Sequence, residues 1–457
     1  MDFTTTLLST ALSLIWFAAE QREQSPGGFR KARRIGGSLL GVPIFVLLVV
    51  LGGSARATTY AVSPTGSDGA SGLLSAPWKT IGHAMSVVAA DDTVNITAGT
   101  YNETPVMSRS GQSGQPINFV GVGNPIMVTS GDVFKVTGSF INFTGITFHS
   151  ANNSSSSSAY VPDSTWCYST WTSGSHITFT FCIWENMASP SAHWGDSDAA
   201  DYCAVRLDGT ANTLQGGCIL RNLQDMDAIG CGFGTVSTDC TIKNTECYNI
   251  TNPNYSSGPN GDGPHSDWFQ DGGSCIRFLI DSCYVHDCGA HVGVYGSDIT
   301  TRNSIFVNID NGFFVSGNGV KFYNNTFYNA GYQQGSPTVF AGYDVVFVNN
   351  IVYYSTGGSF IFGSSAGQVS NNYDGGAPGF LNGSGGFNRA SDFGINSSSP
   401  AKGAGATLSP VFADYNGFAR TDPWAIGAFA FGSVLGPTPT PTPVPTPNPP
   451  MNLLRGR

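Results

Sequence analysis

Charged residues are scarce in this chain of 457 residues and make up 11% of the sequence. Helices draw on Glu, Lys, Ala and Leu, so the scarcity of charge argues against a helical protein. Glycine and phenylalanine are instead abundant, with 59 and 30 residues. This composition is typical of many short strands joined by tight turns. The 40% content of hydrophobic residues and the regular spacing of aromatic side chains argue against a disordered chain.

Basic residues are especially few in the body of the protein, residues 58–433. This segment has 12 basic and 27 acidic residues. The excess of negative charge argues against a nucleic-acid partner, which would need a basic surface. It also disfavours polyanionic glycans, unless a cation or a local basic strip intervenes.

The N-terminal segment has no apolar run of the usual transmembrane length. Residues 39–51 are apolar but fall short of the roughly 20 residues that a spanning helix needs. A basic stretch at residues 30–34 precedes this run, and Ala55-Arg56-Ala57 follows it. This is the order of a signal peptide, so we expect residues 1–57 to be removed from a secreted or cell-surface protein. The alternative is an N-terminal membrane segment that stays uncleaved.

A short motif recurs through the second half of the chain. Each copy runs from an Asn or Asp, through β-branched or aromatic residues, to a second polar residue. The clear copies are residues 244–249, 281–286, 303–308 and 324–329, and looser copies lie at 349–354 and 371–373. The clean steps between copies are 22, 21 and 25 residues. A period in this range predicts a solenoid, in which each repeat buries its apolar face against its neighbours.

The beginning of the body resembles a known protein family. The residues that carry the resemblance are 60–68, 76–81 and 92–103. They resemble the N-terminal cap of secreted right-handed parallel β-helix proteins, the superfamily that includes the large pectate lyases. That family usually has Gly where Asp91 stands. Residues 399–405, 414–420 and 424–429 resemble its C-terminal closing unit.

This resemblance implies an all-β fold, a single-stranded right-handed parallel β-helix (solenoid) with a short N-terminal capping helix. We expect about a dozen rungs over residues 58–433, followed by a Pro/Thr-rich linker or tail at 434–457. The pattern predicts the capping helix at 81–90 and the first strand at 93–97.

Three polar stretches interrupt the predicted rungs. They are residues 150–175, 189–202 and 251–266, and we interpret all three as loops. Insertions in a solenoid map to loops on its body, often on the face that binds a ligand.

All ten cysteines lie between Cys167 and Cys288. No CxxC pair is present, which argues against a zinc ribbon, whereas export favours disulfides. Cys218 and Cys240 each stand four residues before an Asn that we assign to the recurring motif. This spacing predicts one column on adjacent rungs, within disulfide reach. A buried stack of free thiols is the alternative.

The densest group of chemically active residues lies at 260–273. Glycines there allow sharp turns between the side chains of Asp262, His265, Asp267, Trp268 and Asp271. We predict His265 as catalytic base or acid, and Asp267 and Asp271 as acid, orienting group or cation ligand. Trp268 would be a platform for a sugar ring. Asp262 would bind substrate or, with Asp267, a calcium ion.

The register of the motif extends this group along the solenoid. Residues 267–271 align with 291–295 and 311–315, and 227–231 precede them. The alignment predicts a ladder of Asp227, Asp267, His291 and Asn311 along one sheet, with His291 as a second catalytic candidate and the others binding substrate. Ordinary turn residues at the ends of strands are the alternative interpretation.

A second predicted column contains Arg221, Lys243 and Arg302, each just before an Asn of the motif. Parallel β-helix lyases use a basic residue to neutralise a uronate and remove a proton, and we include Arg302 among the substrate-binding candidates on that basis. A solvated outward strip is the alternative.

Three functions remain open at this point. The first is an exported lyase or glycoside hydrolase that acts on a polysaccharide, with no cofactor beyond the calcium ion named above. The second is a non-catalytic glycan-binding or adhesion module, and the third is a structural spacer. We expect a monomer with a polysaccharide partner, no nucleic acid, and membrane contact only through an uncleaved N-terminal segment.

Overall fold

The computed structural model describes most of the body of the chain. The described residues are 57–129, 133–150, 168–188, 203–251, 266–289, 292–309, 313–330, 339–340, 344–354, 366–382, 389–409, 411 and 413–433. The predicted signal peptide, His265, His291, Asp262, Asn311 and the Pro/Thr-rich tail lie outside these residues.

Helix α1 (Ile81–Val87) is shorter than the predicted helix and begins at the expected residue. The Oγ1 atom of Thr80 accepts a hydrogen bond from the backbone N–H of His83, which caps the helix. The carboxylate of Glu103 accepts bonds from the first two helical N–H groups at 2.8 and 2.7 Å. Ile81, Ala84 and Met85 are buried against the end of the hydrophobic core.

The rest of the described structure is built from short strands. In the first half of the chain they are β1 (Thr59–Val62), β2 (Thr93–Thr97), β3 (Thr100–Asn102), β4 (Val106–Met107), β5 (Ile117–Val122), β6 (Ile126–Thr129), β7 (Phe134–Val136), β8 (Ile141–Thr144), β9 (Thr147–Ser150), β10 (Tyr168–Thr172), β11 (Ile177–Thr180), β12 (Ile183–Ala188), β13 (Cys203–Leu207), β14 (Gly209–Thr210), β15 (Thr213–Gln215), β16 (Ile219–Gln224) and β17 (Asp227–Cys231). In the second half they are β18 (Ser237–Thr238), β19 (Thr241–Lys243), β20 (Glu246–Thr251), β21 (Phe269–Asp271), β22 (Cys275–Ile276), β23 (Leu279–Asp281), β24 (Tyr284–Cys288), β25 (Val292–Val294), β26 (Thr300–Arg302), β27 (Ile305–Ile309), β28 (Phe313–Val315), β29 (Lys321–Tyr323), β30 (Thr326–Ala330), β31 (Val339–Phe340), β32 (Val345–Val348), β33 (Ile351–Tyr353) and β34 (Ala366–Ser370).

These strands form three long parallel sheets, which the chain visits in turn. Within the described residues, the first sheet has 12 strands in the order β1-β2-β5-β8-β11-β15-β19-β23-β26-β29-β32-β34. The second has 10, β3-β6-β9-β12-β16-β20-β24-β27-β30-β33, and the third has 9, β4-β7-β10-β13-β17-β21-β25-β28-β31. Strands β14, β18 and β22 form a small fourth sheet between the third and the first. This is the predicted right-handed parallel β-helix with its capping helix.

Aromatic side chains stack along the axis inside the coil. Phe119, Phe143 and Phe179 follow one another on adjacent rungs, with ring centroids 5.2 and 5.1 Å apart. Phe148 and Trp184 stack in the same way at 5.0 Å. All five side chains are buried. Because each ring covers the next, the core is continuous from rung to rung.

The recurring motif corresponds to two separate ladders of left-handed residues. Its first Asn forms the tight corner between the first and second sheets, as at Asn303 (φ 51°) and Asn324 (φ 54°). Its second polar residue bends the second-sheet strand, as at Asn249 (φ 54°). In that second ladder Asn249 Nδ2 donates to Asn222 Oδ1 at 2.8 Å. Asn tolerates this backbone conformation, which explains its recurrence.

The two ladders explain why the predicted Cys218–Cys240 pair is wrong. Asn222 belongs to the bend in the second sheet, whereas Asn244 belongs to the corner before it. Cys218 is therefore not in the column of Cys240: the rung next to Cys218 contributes Cys182 instead. Both thiols are free and buried, and burial raises the pKa of Cys240 to about 11. The disulfide in the described residues joins Cys231 to Cys275.

The closing unit packs on the side of the coil. Phe380, Phe393 and Phe429 are buried against outward side chains of the second sheet, among them Ile305 and Ile351. Arg420 anchors this segment, because its guanidinium donates to Asn303 Oδ1 at 2.9 Å and to several backbone carbonyls. In the part of the chain that the structure describes, no helix has the length and apolar character needed to cross a membrane.

Candidate functional site

The third sheet carries the site because long connections enter it from one side. Residues 151–167, 189–202 and 252–268 each join a second-sheet strand to the following third-sheet strand. By contrast, the corners between the first and second sheets are tight, as at Asn303-Ser304 and Asn324-Asn325. The sequence predicted these three interruptions, but it included Trp171 in the first of them. Trp171 instead lies on strand β10.

One row of side chains crosses the outer face of the third sheet. The strand register places its members opposite one another on successive rungs. We call it the outer row: Lys135, Trp171, Arg206, Gly230, Gln270 and Gly293. At about 4.8 Å per rung the six positions extend over roughly 24 Å. The row is therefore long enough to contact several sugar units of an extended chain.

Arg206 lies in the middle of the outer row, and its guanidinium contacts an acid, a backbone carbonyl and two aromatic rings. Its Nε donates to Asp208 Oδ2 at 2.6 Å, and a terminal nitrogen donates to the carbonyl oxygen of Phe233. The guanidinium also lies 5.8 Å from the centre of the Trp171 ring and 5.4 Å from that of Phe233. Only 4% of Arg206 is exposed. Its positive charge is thus paired within the protein.

Asp208 binds both Arg206 and Trp171. Its second oxygen accepts the N–H of Gly232 at 3.0 Å and the hydroxyl of Ser237 at 3.2 Å. The indole N–H of Trp171 donates to the oxygen that also binds Arg206, at 3.0 Å. Trp171 is half-buried, so its orientation is fixed while part of it stays open to solvent.

Two glycines in the outer row allow close approach of neighbouring side chains. A Cβ atom at Gly230 would lie 2.8 Å from the Sγ of Cys203 and 3.1 Å from the ring of Phe233. A Cβ atom at Gly293 would lie 2.7 Å from the ring of Tyr295. Tyr295 therefore folds back over Gly293, next to Gln270. Its half-buried ring forms part of the outer face.

A pair of carboxyl groups stands at the N-terminal edge of the same sheet. Asp227 and Asp267 lie on adjacent rungs, in the column of Cys203. The Oδ1 atom of Asp227 accepts the backbone N–H of Asp267 at 2.8 Å. We call these two residues the acid pair. The structure brings them together as the sequence predicted.

Asp267 is in an unusual electrostatic position. Only 1% of the residue is exposed, and its Oδ1 atom has no hydrogen-bond partner among the described residues. Burial raises the pKa of this carboxyl well above its usual range, and the charges of Asp227 and Cys288 add to the effect. Burial and the nearby carboxylates, Asp267 first among them, also raise the pKa of Tyr295 to about 12. The acid pair is therefore within electrostatic reach of Tyr295, whose ring lies over Gly293 of the outer row.

Asp271 has a structural role in place of the predicted catalytic one. Its two oxygens accept the backbone N–H groups of Gly273 and Tyr295, both at 2.8 Å. It is fully buried, and burial raises its pKa. Because it stands four residues after Asp267, it lies about 13 Å further along the strand direction. Asp271 thus ties one rung to the next.

The prediction of Trp268 as a sugar platform is wrong. The side chain is 1% exposed and points into the core, where its ring centroid lies 5.6 Å from that of Phe269 and 5.7 Å from that of Phe306. Both Trp268 and Phe269 contribute to the core cluster, so simple alternation along the strand fails at this corner. Among the side chains that the structure describes, Trp171, Phe233 and Tyr295 are partly exposed aromatic residues at the outer face.

The predicted basic column is also split between two sheets. Arg221 lies on the second sheet and pairs with Glu185 at 2.5 Å. Arg302 lies on the first sheet, in one column with Lys243 and with Asp281 between them. Arg302 Nη2 lies 2.9 Å from Asp281 Oδ2. Arg302 therefore belongs to a different face from the acid pair.

The register differs from the predicted ladder by one residue at strand β25, while Gln270 and Phe314 share a column as predicted. Gln270 pairs with Gly293, and Phe313 pairs with Val292. The prediction had aligned Gln270 with Val294 and Phe313 with Gly293. His291 and Asn311 lie outside the described residues, as do His265 and Asp262.

The described residues do not by themselves form the predicted calcium site. Within them, no three His, Cys, Asp or Glu side chains are grouped so that they could hold a metal. Calcium takes six to eight oxygen ligands, and the acid pair supplies only two carboxylates.

The sequence missed four residues of this site: Trp171, Arg206, Gln270 and Tyr295. The signal for Arg206 was a polar residue between two apolar core residues, Val205 and Leu207, on strand β13. The connections before the third-sheet strands differ in length, so no fixed period in the sequence aligns these positions.

Comparison with known proteins places the chain among proteins of the same fold. Residues 64–107 match a family described as "Protein of unknown function (DUF1565)". The Uncharacterized protein YwoF of Bacillus subtilis (strain 168) is 44% identical over 71 residues, which is 16% of this chain and 15% of the relative. The match thus spans far less than two thirds of that relative's length.

Two solved structures resemble most of the chain. One is pectate lyase Pel9A, with a TM-score of 0.55, 16% identity, and coverage of 82% of this chain and 96% of that chain. The other is a rhamnogalacturonan lyase, with a TM-score of 0.51, 18% identity, and coverage of 71% and 90%. At these identities the likeness establishes the fold. The protein therefore has the pectate-lyase-like right-handed parallel β-helix fold.

Proposed function

We propose that the protein is an exported glycoside hydrolase that cleaves a polysaccharide bound along the outer row. The acid pair is the single observation that carries this proposal. Two carboxyl groups in different environments are the usual equipment for glycoside hydrolysis, one as acid and one as nucleophile or base. Structural neighbours with the same fold are polysaccharide lyases, which supports a glycan as the substrate class.

The different surroundings of the two carboxyl groups suggest their roles. Burial raises the pKa of Asp267 well above its usual range, so this carboxyl is suited to donate a proton to a leaving glycosidic oxygen. Asp227 is held in place by the backbone N–H of Asp267, which its Oδ1 atom accepts. In the retaining mechanism Asp227 would attack the sugar, and in the inverting mechanism it would activate a water molecule.

The rung spacing favours the retaining mechanism. Adjacent rungs of a parallel sheet are about 4.8 Å apart. Retaining enzymes hold their two carboxyl groups about 5–5.5 Å apart, whereas inverting enzymes need about 6.5–9.5 Å for a water molecule. We therefore assign Asp267 as the acid and Asp227 as the nucleophile.

The outer row would supply binding rather than chemistry. Trp171 and Tyr295 offer aromatic rings to the apolar faces of sugars, and Gln270 offers an amide to their hydroxyl groups. Gly230 and Gly293 leave room for the rings of Phe233 and Tyr295 to lie against the sheet. Export would bring such an enzyme to extracellular polysaccharides, in keeping with the predicted signal peptide.

Non-catalytic glycan binding is a second candidate, and one observation favours it. Asp227 and Asp267 are each only 1% exposed, so the sugar must reach carboxyl groups that solvent hardly reaches. A binding module would use the outer row in the same way and leave the glycan intact.

A panel of polysaccharides distinguishes these candidates. Wild-type protein and Asp267→Asn would be compared by the release of reducing ends and by the ultraviolet absorbance of unsaturated products. Asp298→Asn is a matched control, because it makes the same change at a carboxylate with a 57% exposed side chain. We expect wild type and the control to release reducing ends without ultraviolet absorbance, and Asp267→Asn to be inactive. Glycan binding without cleavage would leave the binding module, and ultraviolet-absorbing products would indicate a lyase.

A further inference from the structure

We propose that the glycan bound on the outer row carries no carboxylate or sulfate groups. This inference rests on the proposed function, since it concerns the substrate class of the same site. It separates the protein from the two lyases that share its fold, because a polyuronate would find almost no positive charge to meet it.

The third sheet carries few basic residues. In the described strands of this sheet, the basic residues are Lys135 and Arg206. The charge of Arg206 is paired with Asp208 at 2.6 Å, and 5% or less of either side chain is exposed. A buried ion pair of this kind has little charge left for a ligand. Lys135 stands at the far end of the outer row, four rungs or about 19 Å from Gln270.

The connections that enter the third sheet add negative charge and no positive charge. Residues 151–167, 189–202 and 252–268 contain neither Lys nor Arg. The same is true of the shorter connections 289–291, 310–312 and 331–338. The three long connections contain these acidic residues: Asp163, Asp196, Asp198, Asp201, Asp262 and Asp267. With their histidines neutral, these segments together carry a net negative charge.

At the opposite edge of the sheet, Arg109 follows strand β4, beyond the Lys135 end of the outer row, and its guanidinium donates to the backbone carbonyls of Ser86 and Val88. Arg277 follows the third-sheet strand of its rung, and its guanidinium binds both oxygens of Asp239 at 2.7 and 2.8 Å. Besides the Arg206–Asp208 pair, the site therefore combines the carboxyl groups of Asp227, Asp267 and Asp271 with one basic residue on the described third-sheet strands, Lys135, and that residue stands at the end of the outer row.

The negative charge of this face should separate anionic glycans from neutral and cationic ones. A polyuronate would bring one negative charge on each sugar into a face that is already acidic. The Debye length at physiological ionic strength is about 8 Å, so charges on neighbouring rungs still repel one another. Neutral sugars meet no such repulsion, and amine-bearing sugars are attracted. Aromatic rings and an amide suffice to bind either kind.

A glycan array grouped by charge tests the inference. It would contain neutral polysaccharides, chitosan, polygalacturonate, alginate and a sulfated glycan, all probed at 0.15 M and 0.5 M NaCl. We expect binding only to members without anionic groups. Binding to polygalacturonate or alginate would overturn the inference and leave the proposed glycan function intact. Failure to bind any member would refute the proposed function itself.

A change of charge in the outer row provides the reciprocal test. Gln270→Lys places a cation at the row, and Gln270→Met is the matched control without a charge. We expect Gln270→Lys to raise the affinity for polygalacturonate about two- to fivefold over Gln270→Met at 0.15 M NaCl, with the gain lost at 0.5 M. If wild-type protein already binds polygalacturonate as tightly as Gln270→Lys, the inference is wrong.

Discussion

Replacement of Asp267 by Asn should stabilise the protein and abolish its activity. The carboxyl is buried, and within the part of the chain that the structure describes its Oδ1 atom has no hydrogen-bond partner. Burial raises the folded-state pKa of Asp267 above the value of about 3.9 that an unfolded chain has. The folded state therefore binds more protons than the unfolded state between these two pKa values. Stability then falls as the pH rises through that interval, by about 1.4 kcal/mol for each pH unit.

The size of the effect follows from the missing hydrogen bond. An unsatisfied buried polar group costs about 1–3 kcal/mol, and a charged one more. Asparagine carries no charge, and its amide can donate to the neighbouring Asp227. We expect Asp267→Asn to raise the free energy of unfolding by about 1–3 kcal/mol at pH 8 and to have little effect at pH 4. Urea unfolding of wild type and variant at pH 4, 6 and 8 measures this difference.

The neighbouring Asp271→Asn variant is the control with the opposite sign. Both oxygens of Asp271 accept backbone N–H groups, so an amide nitrogen would face one of them. We expect a loss of about 1–3 kcal/mol. If Asp267→Asn destabilised the protein as much as Asp271→Asn at pH 8, then Asp267 would be an ordinary structural carboxylate, and the reasoning about the acid pair would be refuted.

Four further predictions concern other parts of the account. Trp268→Ala should lower the free energy of unfolding in urea by about 3–5 kcal/mol, because the side chain is 1% exposed within the core. Trp171→Ala should weaken glycan binding in calorimetry about two- to tenfold, with a much smaller effect on the unfolding midpoint than Trp268→Ala. Arg420→Met should cost about 3–5 kcal/mol and speed hydrogen exchange in residues 389–433, since it leaves several buried carbonyls and Asn303 without their donor. Proton NMR of the first product should reveal a retained anomeric configuration, and an inverted one would contradict the assignment of Asp227 as nucleophile.

The fold was predictable because the repeated motif reflects a strict backbone requirement. Residues such as Asn303 and Asn324 take a left-handed conformation at each tight corner, which few residue types tolerate. Asp91 takes the same kind of conformation (φ 73°) where the family usually has Gly. The strands over 93–97 and 227–231 have the predicted bounds. Because the corners recur regularly, they set the register of the strands that adjoin them.

The motif was a poor guide where two similar ladders run side by side. Asn222 and Asn244 have the same residue type and the same sign of φ, yet one bends a strand and the other forms a corner. Nothing in the local sequence separates these roles. The error moved Cys218 beside Cys240 and placed Arg221 in the column of Arg302.

The site was harder to predict because the third sheet follows connections of unequal length. The acid pair could be found, since Asp227 and Asp267 begin similar short segments. Trp171 and Arg206 could not be found in this way. The connections 151–167 and 189–202 precede their strands and differ in length, so these residues do not recur at a fixed spacing. Trp268 was placed on the wrong side because the chain turns inward at that residue, where two successive aromatic side chains enter the core.

The most direct test of the central claim is the rate of reducing-end release by three proteins on one glycan that the wild type cleaves. The proteins are wild type, Asp267→Asn and Asp298→Asn. Loss of a general acid lowers a rate by about 10²–10⁴-fold. The account predicts a loss of this size for Asp267→Asn, in a protein that is at least as stable as wild type, and a rate within twofold of wild type for Asp298→Asn. Equal rates for all three proteins would contradict it.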